Sequence, residues 1–76
     1  MKGIKVSLTN INDISKFNKA VSKFDYDVDV SSGRYLVNAK SLMGLYSLDL
    51  SKPIEILVDA ENYDEIYGLV KDWIAK

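Results

Sequence analysis

The stretch of sequence that decides the fold reads VNAKSLMGLYSLDL and covers residues 37–50. Its middle part, from Ser41 to Leu48, predicts a short helix, because Ser41 is a favourable N-cap residue and apolar residues follow it. A helix of this length cannot bury side chains on every side. We therefore expect some of its apolar residues to face solvent.

The residues before this stretch predict a strand, a helix and a hairpin. Alternating apolar residues at Ile4, Val6 and Leu8 are typical of a half-buried strand. Steps of three and four then place apolar side chains on one side of a helix that follows the N-cap residue Asn10. These apolar residues are Ile11, Ile14, Phe17, Val21 and Phe24. Residues 25–30 alternate acidic with apolar side chains and predict a second strand, which a turn at residues 31–33 joins to a third strand at residues 34–38.

The residues after the stretch predict a strand and a last helix. Residues 54–58 alternate after Pro53, which fixes φ at the start of the strand. Asn62, with Glu65 three residues later, predicts a helix start of the capping-box type, and apolar residues continue at helical spacing to Ile74. Tyr67 and Trp73 are expected in the core or at its edge. The order β-α-β-β-α-β-α, with one apolar sheet face, predicts an open-faced α+β sandwich as a single domain over residues 1–76.

The composition excludes several classes of function. The 76 residues include neither cysteine nor histidine, which removes disulfides and disfavours zinc sites. Asp25, Asp27 and Asp29 resemble a calcium loop only superficially, because the glycine and the distal glutamate of that loop are missing. Since no nucleophile–base pair is evident, we expect no enzyme, no cofactor and no metal site.

The charge of the chain bears on its partners and location. A net charge of −1 disfavours binding to nucleic acid. Basic side chains prevail in residues 1–40 and acidic ones in residues 41–76, so the chain could orient toward a charged protein, although solvated faces explain the pattern as well. No apolar run is long enough to cross a membrane and nothing resembles a signal peptide, so a cytoplasmic location is expected.

Two segments resemble a known family. VNAKSLMGL at residues 37–45, followed by Ser47-Leu48, resembles the second-helix segment of HPr, the histidine-containing phosphocarrier family of the bacterial sugar phosphotransferase system. AVSKFD at residues 20–25, followed by Asp27-Val28, is similar to the end of the family's first helix and its next strand. The resemblance implies the HPr fold, a four-stranded antiparallel sheet with three helices on one face.

The resemblance also places the family's phosphorylation loop, Gly-Leu-His-Ala-Arg-Pro-Ala, at the start of the first helix. Counting back from residues 22–24 puts its histidine on Asn10, its arginine on Asn12 and its proline on Asp13. An asparagine has no ring nitrogen to accept a phosphoryl group, and the guanidinium that would pair with the phosphate is missing. The chain is therefore predicted not to be competent as a histidine phosphocarrier.

Ser41 is the candidate for regulatory phosphorylation. The resemblance aligns Ser41 with the serine that an ATP-dependent kinase phosphorylates in many Gram-positive bacteria. A phosphate at a helix N-terminus would meet free N–H groups and the positive end of the helix dipole. An ordinary N-cap requires only the hydroxyl, so both roles stay open.

The last candidate is a protein-binding surface. By analogy with the family, Leu42, Met43 and Tyr46 should be exposed, and Leu45 and Leu48 buried. The candidate partner-binding residues are Asn12, Lys16, Lys19, Lys40, Leu42, Met43 and Tyr46. Core filling is the alternative for the apolar residues, and a solvated helix face is the alternative for the lysines.

The sequence thus favours a bacterial, non-catalytic regulatory or docking domain related to HPr, with Ser41 as a possible switch. Its partners would be proteins of the phosphotransferase system or of the HPr-kinase type. The alternative is a structural or self-associating module without such partners, since a small sheet with open edges can pair with a second copy. A monomer or a weak dimer is expected.

Overall fold

A computed structural model describes residues 2–74 and shows a four-stranded antiparallel sheet with helices on one face. In chain order, the elements are β1 (Lys2–Val6), α1 (Ile11–Val21), β2 (Asp29–Ser32), β3 (Tyr35–Asn38), α2 (Leu42–Tyr46), β4 (Ile54–Val58) and α3 (Tyr63–Val70). Two short 3-10 turns, Ala60–Asn62 and Lys71–Trp73, flank α3. The spatial order of the strands is β1-β4-β2-β3. The predicted α+β open-faced sandwich and its element order are therefore confirmed.

The sheet has one apolar face because the alternation of its strands is in register. Ile4 pairs with Ile56, Ile56 with Val30, and Val30 with Val37. The first three of these side chains are buried under the helices, and Val37 packs against the same core. Polar residues pair in the next row, where Lys5 lies opposite Glu55. One face therefore carries the core and the other meets solvent.

Helix α1 begins where its cap predicts. Asn10 has an extended backbone, and its side-chain oxygen accepts a hydrogen bond from the Asp13 N–H at 2.9 Å. Ile14, Phe17 and Val21 are buried against the sheet. Ile11 was predicted on the same apolar face, but it is 67% exposed. As the first residue of the helix it precedes the buried stripe, which begins at Ile14.

The second strand is shorter than predicted. Residues 25–28 were predicted as strand, yet β2 begins only at Asp29. Val28 is buried without strand pairing, and its carbonyl accepts a hydrogen bond from the Ala39 N–H at 2.8 Å. The chain bends over residues 24–26, where the rings of Phe24 and Tyr26 stack at 5.1 Å. The alternation in this segment therefore reflects burial rather than strand pairing.

The hairpin between β2 and β3 turns later than predicted. Residues 31 and 32 continue β2, and the loop consists of Gly33 and Arg34. Gly33 has a φ of 59°, which glycine adopts at little cost. A positive φ at the first of two loop residues is typical of a type II′ turn, whose twist suits a hairpin. The third strand consequently starts at Tyr35 rather than at residue 34.

The C-terminal part departs from the predicted single helix. Asn62 makes no side-chain cap hydrogen bond, because it lies in the 3-10 turn that leads directly into α3. The α-helix ends at Val70, and a second 3-10 turn brings Trp73 against the core. The following Ile74 forms a β-bridge with Val6, and the Ser7 N–H donates to the Trp73 carbonyl at 2.7 Å. Trp73 and Ile74 thus lie against β1 and the residue that follows it.

A hydrogen bond from Tyr26 connects the bend after α1 with α3, and we expect this hydrogen bond to weaken at alkaline pH. Its hydroxyl donates to the Glu65 carboxylate at 2.6 Å. Desolvation, followed by this hydrogen bond and the charges of Glu65 and Asp25, raises the pKa of Tyr26 from 10.0 to about 12. A raised pKa in the folded state means that the contribution to stability is present below pH 10 and is lost as the pH rises through 12.

The measurement compares urea unfolding of the wild type and Tyr26→Phe across this range. At neutral pH the variant should be less stable by about 1 kcal/mol, since the bond to the carboxylate is partly solvent-exposed. Between pH 10 and 12 this difference should shrink toward zero. A difference that stays constant through that window would contradict the assignment.

Candidate docking surface

The N-terminal turn of α1 holds Asn10 in a reciprocal contact with Asp13. While the Asn10 side-chain oxygen accepts from the Asp13 N–H, its side-chain amide donates to the Asp13 carboxylate at 3.1 Å. Both the oxygen and the nitrogen of the Asn10 side-chain amide are therefore hydrogen-bonded within this turn, although Asn10 is exposed. Asn12, next to this contact, is also exposed.

Ser41 caps α2, as its sequence context predicts. Its hydroxyl oxygen accepts a hydrogen bond from the Gly44 N–H at 3.2 Å, and its carbonyl accepts from the Leu45 N–H at 3.0 Å. The residue is exposed, so its hydroxyl combines a capping role with access to solvent. Its phosphorylation remains a prediction.

Gly44 supports this cap in a way that the sequence did not reveal. A Cβ atom at position 44 would lie 3.1 Å from the Ser41 Oγ atom and 3.3 Å from the Val37 Cβ atom. Both distances are tighter than ordinary van der Waals contact. Glycine therefore allows the first turn of α2 to lie close to its cap and to β3.

Two polar side chains fix the start of α2 against α1. The Lys40 ammonium donates to the Phe24 carbonyl at 2.7 Å, just after the end of α1. The Asn18 side-chain amide donates to the Ala39 carbonyl at 3.1 Å. Lys40, one of the predicted partner-binding residues, is half-buried, and its ammonium contacts the backbone. Sequence reasoning did not identify Asn18, whose partner is 21 residues away along the chain.

The short helix divides its apolar residues between core and solvent. Leu45 is fully buried and Leu48 nearly so, whereas Met43 is 77% and Tyr46 40% exposed. These four placements agree with the prediction. Leu42 was predicted to be exposed, but it is half-buried because it packs against the hydrophobic core. Helix α2 thus presents mainly Met43 and Tyr46 to solvent.

Helix α1, which packs against α2, contributes the cationic part of the surface. Lys16 and Lys19 are exposed along it, as is Ile11 at its start. We call the exposed residues of the two helices the α1–α2 surface: Ile11, Asn12, Lys16, Lys19, Met43 and Tyr46. The sequence did not predict that Ile11 is exposed, because its spacing matches that of the buried residues Ile14, Phe17 and Val21.

Within residues 2–74, no group of three histidine, cysteine, aspartate or glutamate side chains is arranged to hold a metal ion. No helix in this part of the chain combines the length and apolar character needed to span a membrane.

The sheet order and the helices on one face define an open-faced α+β sandwich of the type that the sequence predicted. A family model described as "PTS HPr component phosphorylation site" matches residues 11–69. Since this match spans most of the chain, the protein belongs to the HPr family. The resemblance found at residues 37–50 is thereby confirmed, and the chain is related to the phosphotransferase system, whose HPr proteins are phosphocarriers rather than catalysts.

Proposed function

We propose that this chain is a non-catalytic, protein-docking domain of the HPr family that binds a protein partner through the α1–α2 surface. The observation that carries the proposal is the exposure of Met43 and Tyr46 on a helix anchored through the buried Leu45. Flexible methionine and aromatic side chains suit protein contacts. Lys16 and Lys19 are exposed on α1, which packs against α2, and they add positive charge to the α1–α2 surface, which favours a partner that also carries acidic side chains.

The second part of the proposal is that the chain does not carry a phosphoryl group on histidine. The sequence contains no histidine, and the Asn10 amide is hydrogen-bonded to Asp13 where the resemblance places the phosphohistidine. We expect no phosphoryl transfer from phosphoenolpyruvate through the first enzyme of the phosphotransferase system. Intact mass spectrometry tests this, with a histidine-containing HPr protein as positive control. Addition of a phosphoryl group to this chain would overturn this part of the proposal.

Docking is tested with a purified HPr kinase as the probe, in the absence of ATP. Met43→Lys should weaken binding at least about tenfold, since a charge replaces an apolar contact. Leu36→Lys is the matched control, because Leu36 is 62% exposed on β3 and lies outside the α1–α2 surface. If Met43→Lys and Leu36→Lys bound the kinase equally well, the contact would not lie on the α1–α2 surface. If the wild type did not bind the kinase, HPr kinases would be excluded as partners.

The proposed switch is phosphorylation of Ser41. The exposed Ser41 hydroxyl lies at the start of the helix that presents Met43, so a phosphate would change the charge of the docking surface. Incubation with ATP and an HPr kinase should yield one phosphate, which Ser41→Ala should abolish. If the wild type stays unmodified while an HPr control is phosphorylated, the switch is refuted, independently of docking.

The edge strand β3 favours a second candidate, a self-associating module. Strand β3 ends the sheet, and its Tyr35 and Leu36 are 69% and 62% exposed. An edge without charged residues can pair with another strand. Light scattering should then show a mass that rises with concentration, and Leu36→Lys should suppress the rise. A constant monomeric mass favours the docking domain.

A further inference from the structure

A cleft that shares no residue with the α1–α2 surface lies at the tip of the β2–β3 hairpin. The hairpin forms one wall, and the segment that follows α2 forms the other. The cleft has a volume of about 310 Å³, which lies at the lower end of the range for small-molecule sites, about 300–1,000 Å³. Its polar and aromatic lining includes Ser32, Arg34, Tyr35, Ser47, Asp49 and Lys52.

Two residues with cationic side chains line this cleft, and they come from different parts of the chain. Arg34 is the second residue of the hairpin loop, where the positive φ of Gly33 turns the backbone. Lys52 comes from the loop before β4. Both residues are exposed. A planar guanidinium matches the geometry of phosphate and carboxylate groups, and an ammonium adds a second charge. The pair therefore favours an oxyanion.

A carboxylate in the same cleft restricts which anions fit. The Asp49 side chain accepts hydrogen bonds from the Ser51 hydroxyl at 2.6 Å and the Ser51 N–H at 3.1 Å. The bond from the Ser51 hydroxyl is the main cause that lowers the pKa of Asp49, so the carboxylate is charged at neutral pH. An ionised carboxylate only accepts hydrogen bonds. It disfavours a bare anion and favours a ligand that also brings hydroxyl donors.

We propose that this cleft binds a small polar molecule that carries an oxyanion, either phosphate or carboxylate, together with hydroxyl groups. Arg34 and Lys52 hold the oxyanion, and Asp49 accepts a hydrogen bond from a ligand hydroxyl. The exposed ring of Tyr35 provides the aromatic part of the wall. This site shares no residue with the α1–α2 surface. A failure of the proposed ligand binding would therefore not refute the proposed docking function, and the reverse also holds.

The test is a titration of the isotope-labelled full chain, followed by the amide signals in NMR. The four probes are glycerol phosphate, glycerate, inorganic phosphate and glycerol. Glycerol phosphate or glycerate should give saturable shifts confined to residues 32–35 and 47–52, and the tighter of the two identifies the oxyanion. Glycerol should give none. Absence of saturable shifts with every probe, or shifts spread over the whole surface, would overturn the proposal.

Two variants separate recognition from general charge effects. Arg34→Gln should raise the Kd at least about tenfold, whereas Lys71→Gln removes the same charge from an exposed residue outside the cleft and should change the Kd little. Asp49→Asn should strengthen binding of inorganic phosphate. It should also reduce the preference for glycerol phosphate or glycerate, the oxyanion probes that carry hydroxyl groups. Equal affinities for Arg34→Gln and Lys71→Gln, with dispersed spectra showing both variants folded, would refute the assignment.

Discussion

Phe17→Ala is expected to lower the free energy of unfolding by about 3–5 kcal/mol. Phe17 is fully buried and is among the largest side chains of the core. Its removal takes apolar contacts from α1 and leaves a cavity that the sheet can fill only in part. Because a domain of 76 residues is expected to have a total stability on the order of only 5 kcal/mol, the variant should be largely unfolded or close to its unfolding midpoint at ambient temperature.

Urea unfolding followed by circular dichroism measures this effect. Ile11→Ala provides the control, since Ile11 belongs to the same helix but is 67% exposed. Its effect should stay within about 0.5 kcal/mol, as for other surface substitutions. Similar losses in the two variants would mean that the assigned burial of the α1 face is wrong.

Leu45→Ala should cost about 2–4 kcal/mol, and it should also impair docking. Leu45 is the one fully buried residue within α2, a helix of five residues. So short a helix has little stability of its own and depends on tertiary packing. Loss of this anchor should therefore free α2 from the core and disturb the presentation of Met43 and Tyr46.

The matched variant is Met43→Ala, in the same helix but at a residue that is 77% exposed. It should leave stability nearly unchanged while weakening binding of the kinase probe. The two variants thus distinguish a residue that anchors α2 from a residue that contacts the partner. Leu45→Ala should lower both stability and binding, whereas Met43→Ala should lower binding alone. If Met43→Ala destabilised the fold as much as Leu45→Ala, the division of α2 into buried and exposed sides would be refuted.

The periodicity of the sequence predicted the elements but not all their boundaries. Strand β4 was predicted correctly because Ile54, Ile56 and Val58 alternate within a segment that pairs on both sides. The segment at residues 25–28 alternates as well, yet it does not pair, since its apolar side chains are buried by a bend. Strand pairing depends on distant parts of the chain, whereas alternation reports only which side chains are buried.

The candidate site, like the element boundaries, could be predicted from the sequence only in part. The family resemblance identified Ser41 and the division of Leu45 and Met43 between core and solvent. It did not predict that the Lys40 ammonium contacts the Phe24 carbonyl, because this contact depends on where α1 ends. The cleft at the hairpin tip was also missed, since Arg34 and Lys52 are brought together only by the fold.

The bridge between Val6 and Ile74 has a consequence for any assembly through the sheet. The C-terminal segment occupies one end of the β1 edge, and β1 also carries Lys2 and Lys5. Charges and covering segments discourage strand pairing, so β3 is the more receptive edge. A sheet with one receptive edge can join one further copy through that edge. If the chain pairs in this way, growth should end at a closed pair, and strand pairing should not extend into a fibre.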